Sequence, residues 1–265
     1  MRRLSLAQLT LEPVTAPELV AAAAAAGFEA VTIRLLSPPG FEQASPGSER
    51  PIPVAAIRRA LQDAGIGVLD ATSLWIGPAA RVADFEPALD AAAEIGAEHF
   101  TAVVTDPERQ RALERFSAVC AMAAARKLKI ALEFMPYSAV RTLGDAARMI
   151  EEAGQANAGI LLDALHLARS GGSPADLKNA DLKKISFLQL SDAPRQAPRP
   201  EDLRLESRTR RLHPGEGDLP LRALLAAVPP ELPIDVEAPR AADAGLSARD
   251  KAMRAAEATR KFLAA

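Results

Sequence analysis

The chain has 265 residues, 49% of them hydrophobic, so it can bury a large core as one α/β barrel or as two smaller domains. Its 32 basic and 34 acidic side chains nearly balance, which excludes a global field that would recruit nucleic acid or an anionic membrane. The single cysteine, Cys120, excludes an intrachain disulfide framework and a cysteine-rich zinc site. We interpret it as a buried helical thiol.

The N-terminal segment MRRLSLAQLTLEPVT mixes polar residues into its apolar ones before Pro13, unlike the continuous apolar core of a signal peptide. The longest run of low polarity, residues 19–28, is much shorter than a membrane span. We therefore expect a cytoplasmic protein with no membrane partner. Assembly into a homo-oligomer stays open.

Short β-branched or leucine-rich runs alternate with longer stretches of helical period, a pattern typical of βα units around a parallel sheet. In chain order, the pattern predicts eight strands over residues 4–9, 30–35, 67–74, 99–104, 129–134, 159–163, 185–190 and 233–237. It predicts helices over residues 16–26, 53–64, 85–95, 107–127, 143–153, 175–178, 220–227 and 247–262.

The junctions between helices and strands favour one continuous domain over residues 1–265. The segments AAGFEAV, DAGIGVL and EIGAEHF each place Gly just after a helical run, as a left-handed helix end requires. Eight regular units without a G-x-G-x-x-G turn favour a closed (β/α)8 barrel over a doubly wound open sheet. Two proline-rich stretches, 37–53 and 192–207, follow predicted strands, and we interpret them as long βα loops on the catalytic face.

Polar residues end four successive predicted strands, in ALEF, ILLD, SFLQL and PIDVE: Glu133, Asp163, Gln189 and Glu237. Three carboxylates and an amide in an apolar barrel mouth would repel one another unless a cation neutralised them. The all-oxygen set favours Mg²⁺ or Mn²⁺ over zinc, although Co²⁺ and Zn²⁺ stay open. The sequence therefore predicts one divalent metal site at this end of the barrel.

These residues resemble a family, the xylose isomerase-like barrels, which include hydroxypyruvate isomerase, sugar epimerases, inosose dehydratase and 3-dehydroshikimate dehydratase. The segments LEFMP, LLDALHLARSGGSPADL, FLQLSDAPR, RRLHPGEGDLPL and PIDVEAP stand in the family's order and cover nearly the whole chain. The resemblance implies that Glu133, Asp163, Gln189 and Glu237 bind the metal. Gln189 stands where many epimerases have His, and in this it is similar to the hydroxypyruvate isomerase and dehydroshikimate dehydratase branches.

The same resemblance suggests which residues contact the substrate. His166 matches a family histidine near the substrate and could bind an oxygen or relay a proton. Arg195 takes the place of an epimerase arginine, whereas Arg208 and Arg211 are similar to a dehydratase segment that meets a carboxylate. Two further candidates face the same mouth, Arg34 at the end of the second strand and Trp75 after the third, although Trp75 fits core or rim packing equally well. The planar guanidinium group of arginine can donate two parallel hydrogen bonds to a substrate carboxylate or phosphate.

The predicted reaction is isomerisation or epimerisation of a small sugar or another hydroxy-carbonyl compound. The cation would hold two neighbouring substrate oxygens and stabilise the enediolate, while Glu133 and Glu237 exchange the proton. Loss of a β-hydroxyl from the same intermediate would make the enzyme a dehydratase, with His166 as a proton carrier. A catalytically silent binding barrel is a second alternative. A nuclease related to endonuclease IV would need more histidines than three and a basic face.

Overall fold

The structure, a computed structural model, describes residues 2–38 and 52–265. Within them, eight parallel strands close into a barrel in which each strand pairs with the next and the last with the first. The strands are β1 (Leu4–Ala7), β2 (Ala30–Arg34), β3 (Gly67–Ile76), β4 (Ala97–Val104), β5 (Lys129–Glu133), β6 (Ala158–Asp163), β7 (Ile185–Leu190) and β8 (Ile234–Val236). The predicted closed barrel is confirmed, and the open sheet is excluded.

Helices cover the outside of the barrel. They are α1 (Gln8–Leu11), α2 (Ala16–Ala25), α3 (Val54–Ala64), α4 (Glu86–Glu94), α5 (Arg109–Ala124), α6 (Leu143–Ala153), α7 (Ala164–Arg169), α8 (Leu203–Thr209), α9 (Leu221–Ala227) and α10 (Ala248–Ala264). Their apolar faces and the outward strand residues form the main core, which includes Leu19, Phe116 and Val119. Cys120 is buried there in α5, as expected. In the described residues, no helix combines the length and apolar character that a membrane span requires.

Local signals explain most of the element boundaries. Gly27, Gly65 and Gly96, the three junction glycines, have φ values of 75°, 65° and 75°, which confirms the predicted left-handed helix ends. At the start of α6, Thr142 and Asp145 form a capping box. Every predicted strand is present.

The structure corrects the sequence prediction at four places. Residues 8–9 begin α1 instead of extending β1, because the Gln8 side chain bonds the Val14 carbonyl and the Arg34 N–H. The predicted helix 175–178 is a 3-10 turn within Pro174–Asn179, a segment too short to propagate an α-helix. The prediction missed α7, and α8 lies in the supposed loop 192–207. Residues 39–51 of the other predicted loop lie outside the described part.

The barrel interior has two layers along its axis. The apolar layer contains Ala30, Leu69, Ala131, Leu161 and Phe187. The other layer contains polar side chains that also point into the barrel, and it lies toward the carboxyl ends of the strands. This arrangement places the sequence's strand-end polar residues at one mouth of the barrel.

Candidate active site

The four predicted metal ligands meet at the carboxyl ends of neighbouring strands. Glu133 ends β5, Asp163 ends β6, Gln189 lies in β7, and Glu237 directly follows β8. Registered pairing places Asp163 beside Gln189 on the adjacent strand. Asp163, Gln189 and Glu237 are buried, and the Glu133 side chain keeps 13% of its surface exposed.

Asp163 links the barrel to the short helix that follows it. Its Oδ1 accepts a hydrogen bond of 2.9 Å from the His166 backbone N–H and so caps the N-terminus of α7. The cap turns the His166 ring back toward the site, where Nε2 lies 3.6 Å from a Glu133 oxygen. Glu133, Asp163 and His166 each offer a ligand atom, and these atoms lie within 4.8 Å of one another. In the described residues, the cluster of possible ligand atoms is thus formed by Glu133, Asp163 and His166.

Arg211 lies between two of the predicted ligands. Its Nη1 lies 2.6 Å from Asp163 Oδ2, and its Nη2 lies 2.9 Å from Glu237 Oε2. The guanidinium also donates to the Ser207 carbonyl and to the Ser191 hydroxyl. A fully buried arginine stays charged, and its ion pairs raise its pKa further. Arg211 therefore compensates part of the negative charge of this site.

The pKa values of the acidic groups of the site are shifted in different directions. Burial, followed by the charges of Glu237 and Asp163, raises the pKa of Glu133 well above its usual range. Burial also raises the pKa of Glu237 to about 7, although Arg211 opposes the change. Burial acts in the same direction on Asp163, but Arg211 and His166 outweigh it and lower the Asp163 pKa. Without a bound cation, the pKa values of both site glutamates are therefore shifted upward.

His166 is neutral in this environment. Burial, opposed by the charge of Asp163 and assisted by that of Arg211, lowers its pKa to about 4. Its ring also lies edge-on to Tyr137, with ring centroids 5.7 Å apart. A neutral imidazole can bind a metal or accept a proton.

The residues fit a divalent cation. Gln189 Oε1 is buried and has no hydrogen-bond partner among the described residues, so an acceptor is left for a ligand. Glu237 uses only Oε2 toward Arg211. Carboxylate, amide and imidazole donors suit Mn²⁺, Mg²⁺ and related ions.

A pocket opens above this cluster at the barrel mouth. Its lining includes the predicted substrate-binding residues Arg34, Trp75, Arg208 and Arg211. The Arg34 Nε atom lies 2.8 Å from a Glu12 oxygen. Burial, together with the positive charge of Arg34, lowers the pKa of Arg208. The Trp75 indole donates to the Ser73 hydroxyl. The mouth thus presents arginine and aromatic side chains to a small molecule.

Arg195 lies elsewhere. Its side chain is exposed, its backbone N–H bonds to Asp218, and it is not part of the described pocket lining. The structure thus brings four of the five predicted substrate contacts together.

Sequence reasoning missed several residues that support the site. Tyr137 lines the pocket, and its hydroxyl lies 2.8 Å from the Ser207 hydroxyl. Arg169 and Glu206 form a buried, two-pronged ion pair of 2.7 and 2.8 Å that ties α7 to α8, the helix bearing Ser207 and Arg208. As the only tyrosine, four residues after Glu133, Tyr137 could have been recognised; the Arg169–Glu206 pair required the fold.

Two curated relatives match parts of the chain. An inosose isomerase of Halalkalibacterium halodurans is 39% identical over 67 residues, 24% of this chain and 24% of the relative. A 3-dehydroshikimate dehydratase of Pseudomonas aeruginosa is 36% identical over 107 residues, 40% of this chain and 16% of the relative. The matches therefore span a quarter or less of these relatives.

Comparison with solved structures covers the full barrel. A crystal structure of a protein named IolI, with a bound zinc atom, aligns with a TM-score of 0.83 and 20% identity, over 99% of this chain and 98% of that one. At this identity the likeness establishes the fold. The family model described as the xylose isomerase-like TIM barrel matches residues 20–262, which include every strand end of the candidate site. The chain therefore belongs to the xylose isomerase-like TIM barrel family.

Proposed function

We propose that this protein is a metal-dependent isomerase or epimerase that moves a proton at the carbon next to a carbonyl in a small hydroxy-carbonyl substrate. The observation that carries the proposal is the placement of two glutamates, Glu133 at the end of β5 and Glu237 after β8, which line one pocket from strands that are not adjacent. The inosose isomerase match supports the reaction class.

The residues that would hold the metal are Glu133, Asp163, Gln189 and Glu237, with His166 beside them. A bound divalent cation supplies Lewis acidity toward substrate oxygens and lowers the pKa values of the surrounding carboxyl groups. We favour Mn²⁺ or Mg²⁺ because oxygen donors dominate the set. The zinc in the IolI structure and the nearby His166 keep zinc among the metals to be tested.

The two glutamates divide the proton transfer. Burial raises the pKa of Glu237 to about 7 in the metal-free protein, and a bound cation favours its carboxylate, the form that would take the proton from the substrate. Glu133 lines the same pocket and would return the proton from another side. Asp163 and Arg211 hold the charge balance, and Arg34 and Arg208 orient oxygens of the substrate.

Dehydration of a carboxylated hydroxy-ketone is the second candidate. The arginines of the mouth favour an anionic substrate, and the 3-dehydroshikimate dehydratase match supports this outcome. In this version neutral His166 would take up the proton removed next to the carbonyl and, as the imidazolium, deliver it to the departing β-hydroxyl, which leaves as water. The reaction differs from isomerisation only after the first proton is removed.

Exchange of the α-proton with D₂O tests the proposal for either outcome. Hydroxypyruvate, ketohexoses, an inosose and dehydroshikimate are incubated with the Mn²⁺-loaded protein, and NMR follows deuterium incorporation and products. We expect exchange with at least one compound and a loss of about 10²–10⁴-fold in Glu133→Gln, the usual contribution of general acid–base catalysis. Glu98→Gln is the control, because Glu98 is exposed on β4 and pairs with Arg3. Undiminished exchange in Glu133→Gln would disprove the assignment.

Removing the charge of Arg208 distinguishes an isomerase from a dehydratase. Arg208→Gln should raise KM about tenfold or more for a carboxylated substrate and clearly less for a neutral ketose, because a hydrogen bond to a charged group contributes about 1.5–3 kcal/mol and one to a neutral oxygen about 0.5–1.5 kcal/mol. Equal effects on both substrates would argue against carboxylate recognition.

A further inference from the structure

The last strand of the barrel carries two inward carboxyl groups, and only one of them was predicted to be functional. Glu237 faces the pocket, whereas Asp235, two residues earlier, lies one step deeper and is fully buried. Pairing between β7 and β8 places Asp235 directly opposite Gln189. A strand alternates its side chains between two faces, so the same inward face bears both groups.

The contact between Asp235 and Gln189 determines whether the amide nitrogen or the amide oxygen of Gln189 faces Asp235. Gln189 Nε2 donates to Asp235 Oδ2 at 3.1 Å. If the amide were turned over, Oε1 would face a carboxyl oxygen at that distance, and the donor end would point away from Asp235. Two acceptors in contact would repel, whereas the observed arrangement forms a hydrogen bond. Asp235 therefore selects one of the two amide orientations.

The selected orientation leaves the amide oxygen available. Gln189 Oε1 is buried and, among the described residues, has no hydrogen-bond partner. Gln189 also belongs to the pocket lining together with Glu133 and Glu237. A glutamine is unlike the surrounding carboxylates in this respect, because only one of its two terminal atoms can bind a cation.

We propose that Asp235 is a positioning residue that holds the Gln189 amide so that its oxygen, not its nitrogen, is presented to the divalent cation. The inference rests on the metal site of the proposed function. Partners that orient a metal ligand commonly change metal affinity about 10–100-fold when they are removed.

Calorimetric titration of the metal-free protein with Mn²⁺ tests this role. We expect Asp235→Ala to weaken Mn²⁺ binding about 10–100-fold. Asp235→Asn keeps a carbonyl acceptor for the Gln189 amide and should recover most of that affinity. Asp70→Ala is the matched control: Asp70 is equally buried in the barrel and accepts from Thr101 at 2.6 Å. It should bind Mn²⁺ within about threefold of wild type, since its hydrogen-bond partner is Thr101 and not a proposed metal ligand.

Replacing Gln189 itself distinguishes a role of Asp235 in orienting the amide from a role in supporting the fold around it. In Gln189→Glu both terminal atoms are oxygens, so no partner is needed to choose between them. Adding Asp235→Ala to Gln189→Glu should therefore cause no further loss of Mn²⁺ affinity. Equal losses in the two backgrounds, equal losses in Asp70→Ala and Asp235→Ala, or unchanged binding by Asp235→Ala would each overturn the positioning role.

Folding and metal binding are checked separately. Circular dichroism and thermal unfolding establish that each variant is folded. If Asp235→Ala is not, Asp235→Ser replaces it, because the shorter hydroxyl withdraws from the amide. A wild-type protein that binds no Mn²⁺ would defeat the proposed metal site and this inference with it. Wild-type binding that is insensitive to position 235 defeats the inference alone.

Discussion

The charge balance of the site depends on one residue, Arg211, whose guanidinium contacts both Asp163 and Glu237. Buried carboxylates are costly unless they are paired, and the guanidinium supplies two hydrogen-bonding directions at once. A family resemblance predicted Arg211 as a substrate contact. Its observed partners are the protein carboxylates Asp163 and Glu237, so it is paired within the site itself.

Replacing Arg211 tests this role in charge compensation. Arg211→Met should lower the free energy of unfolding by about 3–5 kcal/mol in EDTA, because two buried carboxyl groups lose their partner. Mn²⁺ should restore more stability to this variant than it adds to wild type. Arg169→Met, which breaks the buried pair with Glu206, serves as the control and should gain no extra stability from Mn²⁺. Urea denaturation measures all three proteins; equal metal effects would contradict the prediction.

Proton binding by His166 should be visible in the stability of the metal-free protein. Its pKa is about 4 when folded and near 6.5 when unfolded, so the unfolded chain binds the extra proton between these values. The stabilisation is present above pH 6.5 and is lost as the pH falls toward 4. The loss amounts to about 3 kcal/mol at most.

Urea titrations at pH 7, 5.5 and 4 in EDTA measure this dependence. His166→Gln should lose less stability than wild type over the same range, because its side chain does not titrate. Parallel curves for the two proteins would show that His166 does not carry the effect.

At the scale of single elements, the helix ends follow from local chemistry. Gly65 ends α3 in the left-handed region with φ of 65°, as the DAGIGVL segment predicted. Two of the helices absent from the prediction, α7 and α8, have other origins. Asp163 caps α7, and the Arg169–Glu206 pair ties α8 to it. Short helices of this kind depend on tertiary contacts more than on propensity.

A pair of glycine substitutions isolates the backbone contribution at a helix end. Neither Gly65 nor Gly245 has another atom within 4 Å of an added Cβ, but only Gly65 has a positive φ. Gly65→Ala should therefore cost about 1 kcal/mol of stability. Gly245→Ala should be neutral or slightly stabilising, since alanine restricts the unfolded chain. Shifts in the urea midpoint measure the difference, and similar midpoints would refute the assignment.

At the scale of the molecule, barrel closure brings distant parts of the chain to one mouth. Glu133 and Glu237 are far apart in sequence, yet the Glu237 charge is the largest charge effect on Glu133. A cation bound there would link four strands of the barrel. Its binding free energy would therefore add to the stability of the folded state.

Metal addition should raise the thermal midpoint of the whole protein. At a Mn²⁺ concentration of about 100 times Kd, the gain is about 2.7 kcal/mol. For a chain of this size, that corresponds to about 5–10 °C in Tm. Asp163→Asn should reduce the shift, and differential scanning calorimetry in EDTA and in MnCl₂ provides the measurement. An unchanged Tm in wild type would count against the metal site.

The sequence by itself determined the barrel and the strand ends that carry Glu133, Asp163, Gln189 and Glu237. Strand alternation, helix periodicity and glycine helix ends are local signals, so they can be read without knowing the fold. Only the tertiary structure decided how these groups are paired. Arg211 between two carboxylates, Asp235 behind Gln189, and Arg195 outside the pocket depend on contacts between strands and loops that lie far apart in the sequence. Burial, which raises the Glu237 pKa to about 7, exists only once the barrel closes.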